Sequence, residues 1–141
     1  FTLDSYERIE DTLRIYYPGA VSRQDDTQWA AIWFSVNDVG FERANRDYSR
    51  FNTLRLELKG EAGGERLLVH MKDKDDPDDG SQTNIELVLG DQWQTHDIDL
   101  ARFETADLEY LYITLGFLFI DQFEPVAFRI RNARFLSGAV E

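Results

Sequence analysis

The chain has 141 residues, enough for one domain with a sizeable core. Hydrophobic residues at 43% and aromatics at 13% exclude a disordered chain, while 15 Lys and Arg against 27 Asp and Glu give a formal net charge of -12. A surface that negative repels phosphate backbones and anionic lipids, so nucleic acid is not an expected partner and a neutral, hydroxyl-rich or cationic ligand fits better.

The absence of cysteine excludes a disulfide framework and a thiolate metal site. No run is long and apolar enough to span a bilayer, so direct membrane insertion is not expected. No signal peptide is present, and residues 1–141 read as a single domain, a module of a larger protein with covalently linked neighbours.

The segments in chain order read at period two, the strand period. Thr12 to Tyr17 forms the first strand and stops at Pro18-Gly19. Gln28 to Asn37 is the second, with Ile32, Phe34 and Val36 inward and Trp29, Ala31, Trp33 and Ser35 outward. Thr53 to Gly60 is the third, its leucines on one face and its polar residues on the other, as in a half-buried antiparallel strand. The glycine-containing turn Gly60 to Glu65 leads into Arg66 to Asp73, with Leu67, Val69 and Met71 inward and Leu68, His70 and Lys72 outward. Thr83 to Leu89 and Trp93 to Leu100 follow, then short turns near Leu100 to Phe103 and Thr105 to Leu108. Tyr110 to Ile120, with Leu111, Ile113, Leu115 and Phe117 inward, and Val126 to Phe135 complete about eight strands with little helix. This predicts an all-β protein, a two-sheet antiparallel sandwich or a barrel.

One group of segments narrows the choice. Arg46-Asp47-Tyr48-Ser49-Arg50-Phe51-Asn52 leads into the Thr53 strand and its Lys59-Gly60 end; Trp93-Gln94-Thr95-His96-Asp97-Ile98-Asp99-Leu100 and the aromatic-closed Phe128-Arg129-Ile130-Arg131-Asn132-Ala133-Arg134-Phe135 follow. Over residues 28 to 135 this pattern resembles the jelly-roll carbohydrate-binding modules of the galactose-binding-like superfamily. The resemblance implies a jelly roll with one sheet ordered first-eighth-third-sixth and the other second-seventh-fourth-fifth. It also implies a non-catalytic module that targets a larger protein to a polysaccharide or oligosaccharide outside the cytoplasm, whether secreted, periplasmic or at the cell surface. The same fold serves as an extracytoplasmic sensor domain of membrane signalling proteins, and that alternative stands beside the first. Most motif residues read as structural: Asp47 and Ser49 suit a side-chain-capped turn, and Trp93 suits the core.

On the implied second sheet the outward residues become neighbours. A row of Trp33, Tyr112, His70 and Glu86, with Trp29, Tyr110 and Lys72 beside it, mixes ring faces with hydrogen-bonding groups. Sugar recognition needs both. The competing readings are a core tryptophan and a plain solvated face, and a phase error of one residue would reverse every side chain of a strand.

Asp73, Asp75, Asp76, Asp78 and Asp79 put five carboxylates into seven residues, the hard-oxygen chemistry that Ca²⁺ prefers. The spacing does not match an EF-hand loop; a solvated acidic loop, or a wall beside the ligand, are the other readings. The resemblance also implies a structural calcium near the termini, for which Asp4 and Glu7 are candidates. No nucleophile elbow, zinc-binding helix or phosphate loop occurs, and the two histidines fall on different strands, so catalysis is not expected.

Overall fold

The computed structural model describes residues 6–9, 12–20, 29–35 and 43–137. Nine strands are present among them: β1 (Tyr6–Ile9), β2 (Thr12–Tyr17), β3 (Trp29–Ser35), β4 (Thr53–Gly60), β5 (Arg66–Asp73), β6 (Ile85–Val88), β7 (Gln94–Asp99), β8 (Leu111–Ile120) and β9 (Val126–Leu136). A five-stranded sheet runs β1-β2-β9-β4-β7 and a four-stranded sheet runs β3-β8-β5-β6, with every pairing antiparallel. Apart from β1, added at one edge, this is the order implied by the resemblance.

The alternation of leucine with polar residues places the core. Leu54, Leu56 and Leu58 of β4 meet Leu67, Val69 and Met71 of β5 in one buried cluster. Leu115, Phe117 and Phe119 of β8 and Phe128 and Ile130 of β9 fill the same layer. Phe117 and Phe128 meet across the two sheets edge to face, their centroids 5.1 Å apart. Each fully buried side chain of this kind contributes about 1.5–3 kcal/mol, which is why the strand phase is strongly specified. Among the described residues no helix is long and apolar enough to cross a membrane.

The outer face of the five-stranded sheet is laced by ion pairs, Arg14–Glu61 at 2.5 Å, Arg55–Asp97 at 2.7 Å and Arg131–Glu57 at 2.9 Å. Trp93 lies here, half-buried, with the Arg131 guanidinium 4.0 Å from its ring centroid. It therefore precedes β7 on the outside of the sandwich and is not part of the core. The turn ahead of β4 is capped as expected, with the Ser49 backbone N–H donating to Asp47 Oδ1 at 2.8 Å.

Two turns of 3-10 helix, Leu100–Arg102 and Leu108–Tyr110, precede β8. The second includes Tyr110, so β8 begins at Leu111 and Tyr110 is not a strand residue. The predicted strand residues Gln28, Val36 and Asn37 lie outside the described residues, as does Asp4; of Glu7 only the backbone is described.

Candidate functional site

The outer face of the four-stranded sheet carries a cleft of about 610 Å³. The edge strand β3 contributes Trp29, Ala31 and Trp33, β8 contributes Leu118 and Ile120, and β5 contributes His70 and Lys72. Asp78, Asp79, Gly80, Gln82 and Asn84, from the segment between β5 and β6, close the opposite side. A smaller hollow of about 440 Å³ sits under the β4–β5 turn; its one ring, Tyr16, has the Arg14 guanidinium 5.5 Å from the centroid. The larger cleft is the one with exposed rings.

Pleat geometry explains why both tryptophans face it. Trp29 and Trp33 are four residues apart and so project from one face of β3, with their Cα atoms about 13 Å apart at ~3.3 Å per residue. Trp29 is 63% exposed at the rim, and Trp33 is 39% exposed further in. Their partners on the other face, Ile32 and Phe34, pack against the core.

The centre of the cleft rests on a gap in β8. Gly116 stands opposite Trp33 on one side and opposite His70 on the other. With no side chain between them, the Trp33 indole N–H reaches across and donates to His70 Nε2 at 3.0 Å. The rings meet edge on, at 89° and 6.5 Å between centroids. His70 is buried, and that burial, reinforced by the Lys72 charge and partly offset by Asp76, pushes its imidazole down to about 4. The ring is therefore neutral at pH 7, as the hydrogen bond accepted on Nε2 requires.

Lys72 holds a second side of the indole. Its Nζ lies 4.7 Å from the Trp33 ring centroid, 2.9 Å from Asp78 Oδ1 and 3.7 Å from Asp76 Oδ1. The Lys72 side chain is only 6% exposed, so the ammonium pairs with carboxylates instead of reaching solvent. Arg43 clamps the loop from outside, pairing with Asp78 and donating to the Asp76 carbonyl at 2.7 Å.

These contacts decide the fate of the acidic loop. Asp73 Oδ1 and Oδ2 accept the backbone N–H groups of Asp75 and Asp107, Asp76 Oδ1 accepts that of Asp78, and Asp79 Oδ1 accepts that of Ser81. Asp75 pairs with Lys74. Among the described residues no group of three or more His, Asp or Glu side chains is arranged to hold a metal ion. In this structure the Asp73, Asp75, Asp76, Asp78 and Asp79 carboxylates do not converge on one point; they brace the loop's own turns and pair with cations. Asp78 and Asp79 instead form one wall of the cleft.

Of the seven expected ligand residues, the structure brings Trp29, Trp33, His70 and Lys72 together. The other three sit elsewhere. The β3–β8 register shifts between Phe34 and Ser35, which stand opposite Leu115 and Ile113, and the β5–β8 register shifts in the same stretch of β8. The alternation that placed Tyr110, Tyr112, Thr114 and Gly116 on one face does not run through such a bulge. Gly116, not Tyr112, consequently stands opposite Trp33. Tyr112 is buried, with Arg43 5.1 Å from its ring centroid. Tyr110 is exposed on the 3-10 turn beside Lys74. Glu86 is opposite Leu68, nearer the other end of β5 from Lys72, and pairs with Arg66 at 2.6 Å outside the cleft lining. Gln82, Asn84, Leu118 and Ile120 line the cleft in addition. Asn84, Leu118 and Ile120 carry the strand signal; Gln82 lies in a loop with no periodicity to reveal it.

Comparison with known proteins gives a consistent result. Residues 7–137 match the profile of the family described as carbohydrate binding domain 30. The fold is similar to the family 30 carbohydrate-binding module of a cellulosomal cellulase of Clostridium thermocellum, with a TM-score of 0.67, 17% identity, and 99% of this chain and 90% of that one covered. A second family 30 carbohydrate-binding module superposes with a TM-score of 0.69 at 18% identity, over 97% and 80% of the two chains. The family 11 module of Clostridium thermocellum, solved in complex with a β-1,3-1,4-mixed-linked tetrasaccharide, gives a TM-score of 0.57 at 11% identity, over 99% and 96%. No curated protein matches.

Proposed function

The chain belongs to the carbohydrate binding domain 30 family and is a non-catalytic carbohydrate-binding module, and we propose that it holds a neutral β-glucan chain in the cleft between Trp33 and the loop after β5. The observation that carries this is the pair of tryptophans on one face of β3, opposite hydrogen-bonding side chains across the cleft. An indole face takes the C–H side of a pyranose, and amides, imidazole and carboxylates take its hydroxyls. The ~13 Å between the two indole-bearing Cα atoms matches a run of several sugar units and not a lone monosaccharide.

Charge narrows the ligand further. The protein carries a net charge of -12, and Asp78 and Asp79 stand in the cleft wall. Uronic acids are repelled by such a surface and neutral glucans are not. The mixed-linked tetrasaccharide bound to the family 11 module, which shares the fold, is a ligand of this class. A polymeric glucan is met outside the cytoplasm, so we place the module there, tethering a larger protein to its polysaccharide.

Affinity gel electrophoresis against soluble mixed-linked β-glucan and a polygalacturonate tests the proposal. Retardation is expected in the glucan gel alone. Trp33→Ala is expected to remove about 2 kcal/mol, roughly thirtyfold in affinity. Parent-like retardation of Trp33→Ala, or no retardation of the parent in the glucan gel, would overturn the assignment of the cleft.

A further inference from the structure

Two buried polar atoms on side chains that line the cleft have no partner among the described residues. His70 accepts the Trp33 N–H on Nε2, so the proton of the neutral ring resides on Nδ1. That Nδ1–H is buried and meets no acceptor among the described residues. Gln82 is 8% exposed; its Nε2 makes one long contact, 3.4 Å to Asn84 Oδ1, and its Oε1 is buried without a donor. Turning the amide end for end still leaves one of its polar atoms unmatched.

Buried polar groups are nearly always paired, and exceptions call for a specific occupant. Both side chains line the cleft, so a small polar group there, a water or a ligand hydroxyl that displaces it, can pair them. A sugar hydroxyl meets the requirement, because it accepts from one N–H and donates to one carbonyl at the same time. The Trp33 indole, which lines the same cleft, supplies the face against which the ring carrying that hydroxyl lies.

We propose that Gln82 is a specificity-determining residue of the cleft, reading a hydroxyl of the sugar seated against Trp33, with His70 Nδ1 as the complementary donor. This rests on the reading that the cleft holds a sugar chain. It assigns Trp33 the stacking contact and Gln82 the choice among sugars that stack equally well. A site built to hydrogen-bond a hydroxyl rejects an analogue lacking it more strongly than an apolar pocket rejects a change of size.

The test is calorimetric titration of the β-1,3-1,4-mixed-linked tetrasaccharide into the parent, Gln82→Leu, Gln82→Met and Trp33→Ala, with thermal unfolding of each. Both Gln82 variants are expected to bind at least tenfold more weakly while unfolding at the parent temperature or above it, since they remove an unmatched buried group. In the parent, the ¹⁵N resonance of His70 Nδ1 is expected to shift when the tetrasaccharide is added. Parent-like affinity in Gln82→Met, or a His70 Nδ1 resonance that stays fixed at saturation, overturns the inference. Loss of binding in Trp33→Ala alone would then leave the cleft assignment standing, whereas parent-like binding by Trp33→Ala removes both.

Discussion

Gly116→Ala probes the centre of the site most directly. A Cβ built on Gly116 falls 2.7 Å from His70 Cε1 and 2.9 Å from Cδ2, and nearer still to Nε2. Three atoms of one ring obstruct it, and that ring is 1% exposed, so it cannot swing out into solvent. Overpacking of this kind costs about 1–3 kcal/mol. Displacing the imidazole also breaks the hydrogen bond from Trp33, and a buried acceptor left unmatched adds about 1–3 kcal/mol. The reduced freedom of the unfolded chain returns roughly 0.4–1 kcal/mol. The net expectation is a loss of about 3 kcal/mol, or roughly 10 °C in unfolding temperature for a chain of this size. Circular dichroism melts and urea titration measure it, and glucan titration of the folded variant should show weakened binding because Trp33 loses its anchor. The decisive comparison is the double variant with His70→Ala. Removing the ring removes the collision, so the pair should be coupled by at least ~1 kcal/mol relative to additivity. Parent-like melting of Gly116→Ala, or strict additivity in the cycle, would refute the claim that the gap at Gly116 exists for the Trp33–His70 contact.

Three further outcomes follow from the same geometry. His70 titrates at about 4 in the native protein against 6.5 ordinarily. Its contribution is therefore complete above pH 6.5 and declines as pH falls toward 4, where the unfolded chain takes a proton the native ring refuses. The total is on the order of 3 kcal/mol, set by burial and by Lys72, with Asp76 opposing; urea midpoints between pH 7 and 4 should fall less steeply in His70→Gln than in the parent. Lys72→Met leaves the Asp76 carboxylate, whose side chain is 6% exposed, without its cation and should cost roughly 2–4 kcal/mol by denaturant titration and weaken glucan binding through the loosened loop; unchanged stability would show that Lys72 does not hold the loop. Trp29→Ala, at an exposed rim position, should leave stability within ~0.5 kcal/mol yet reduce affinity for long glucans in calorimetry more than for short ones.

The strands were legible because burial imposes period two. The leucines of β4 and the Leu67, Val69 and Met71 set of β5 point as their spacing predicts. The same logic placed Ile32 and Phe34 against the core and so turned Trp29 and Trp33 outward. Site reading failed where periodicity fails. Tyr112 and Gly116 share a parity in the sequence, but the bulge near Thr114 lies between them. Composition showed that the 73–79 segment is rich in carboxylates without showing that the loop's own N–H groups would occupy them. Gln82 carries no pattern at all, since a loop residue becomes buried only through the path its chain takes across the sheet.

The bulge has a consequence for what length of ligand the cleft can measure. Among the described residues β3 is an edge strand that pairs with β8. Its register is marked by the ladder to β8, by Ile32 and Phe34 against the core, by the irregularity between Phe34 and Ser35, and by the Thr114 hydroxyl that donates to the Phe34 carbonyl at 3.0 Å. Both indoles are carried on this one strand. A slip of two residues would carry the whole aromatic ruler one pleat along a stationary floor of Gly116, His70 and Lys72, while a slip of one would turn it face down into the core. The Thr114 bond sits at the irregularity itself, so the ruler stands in one step only over Gly116, His70 and Lys72.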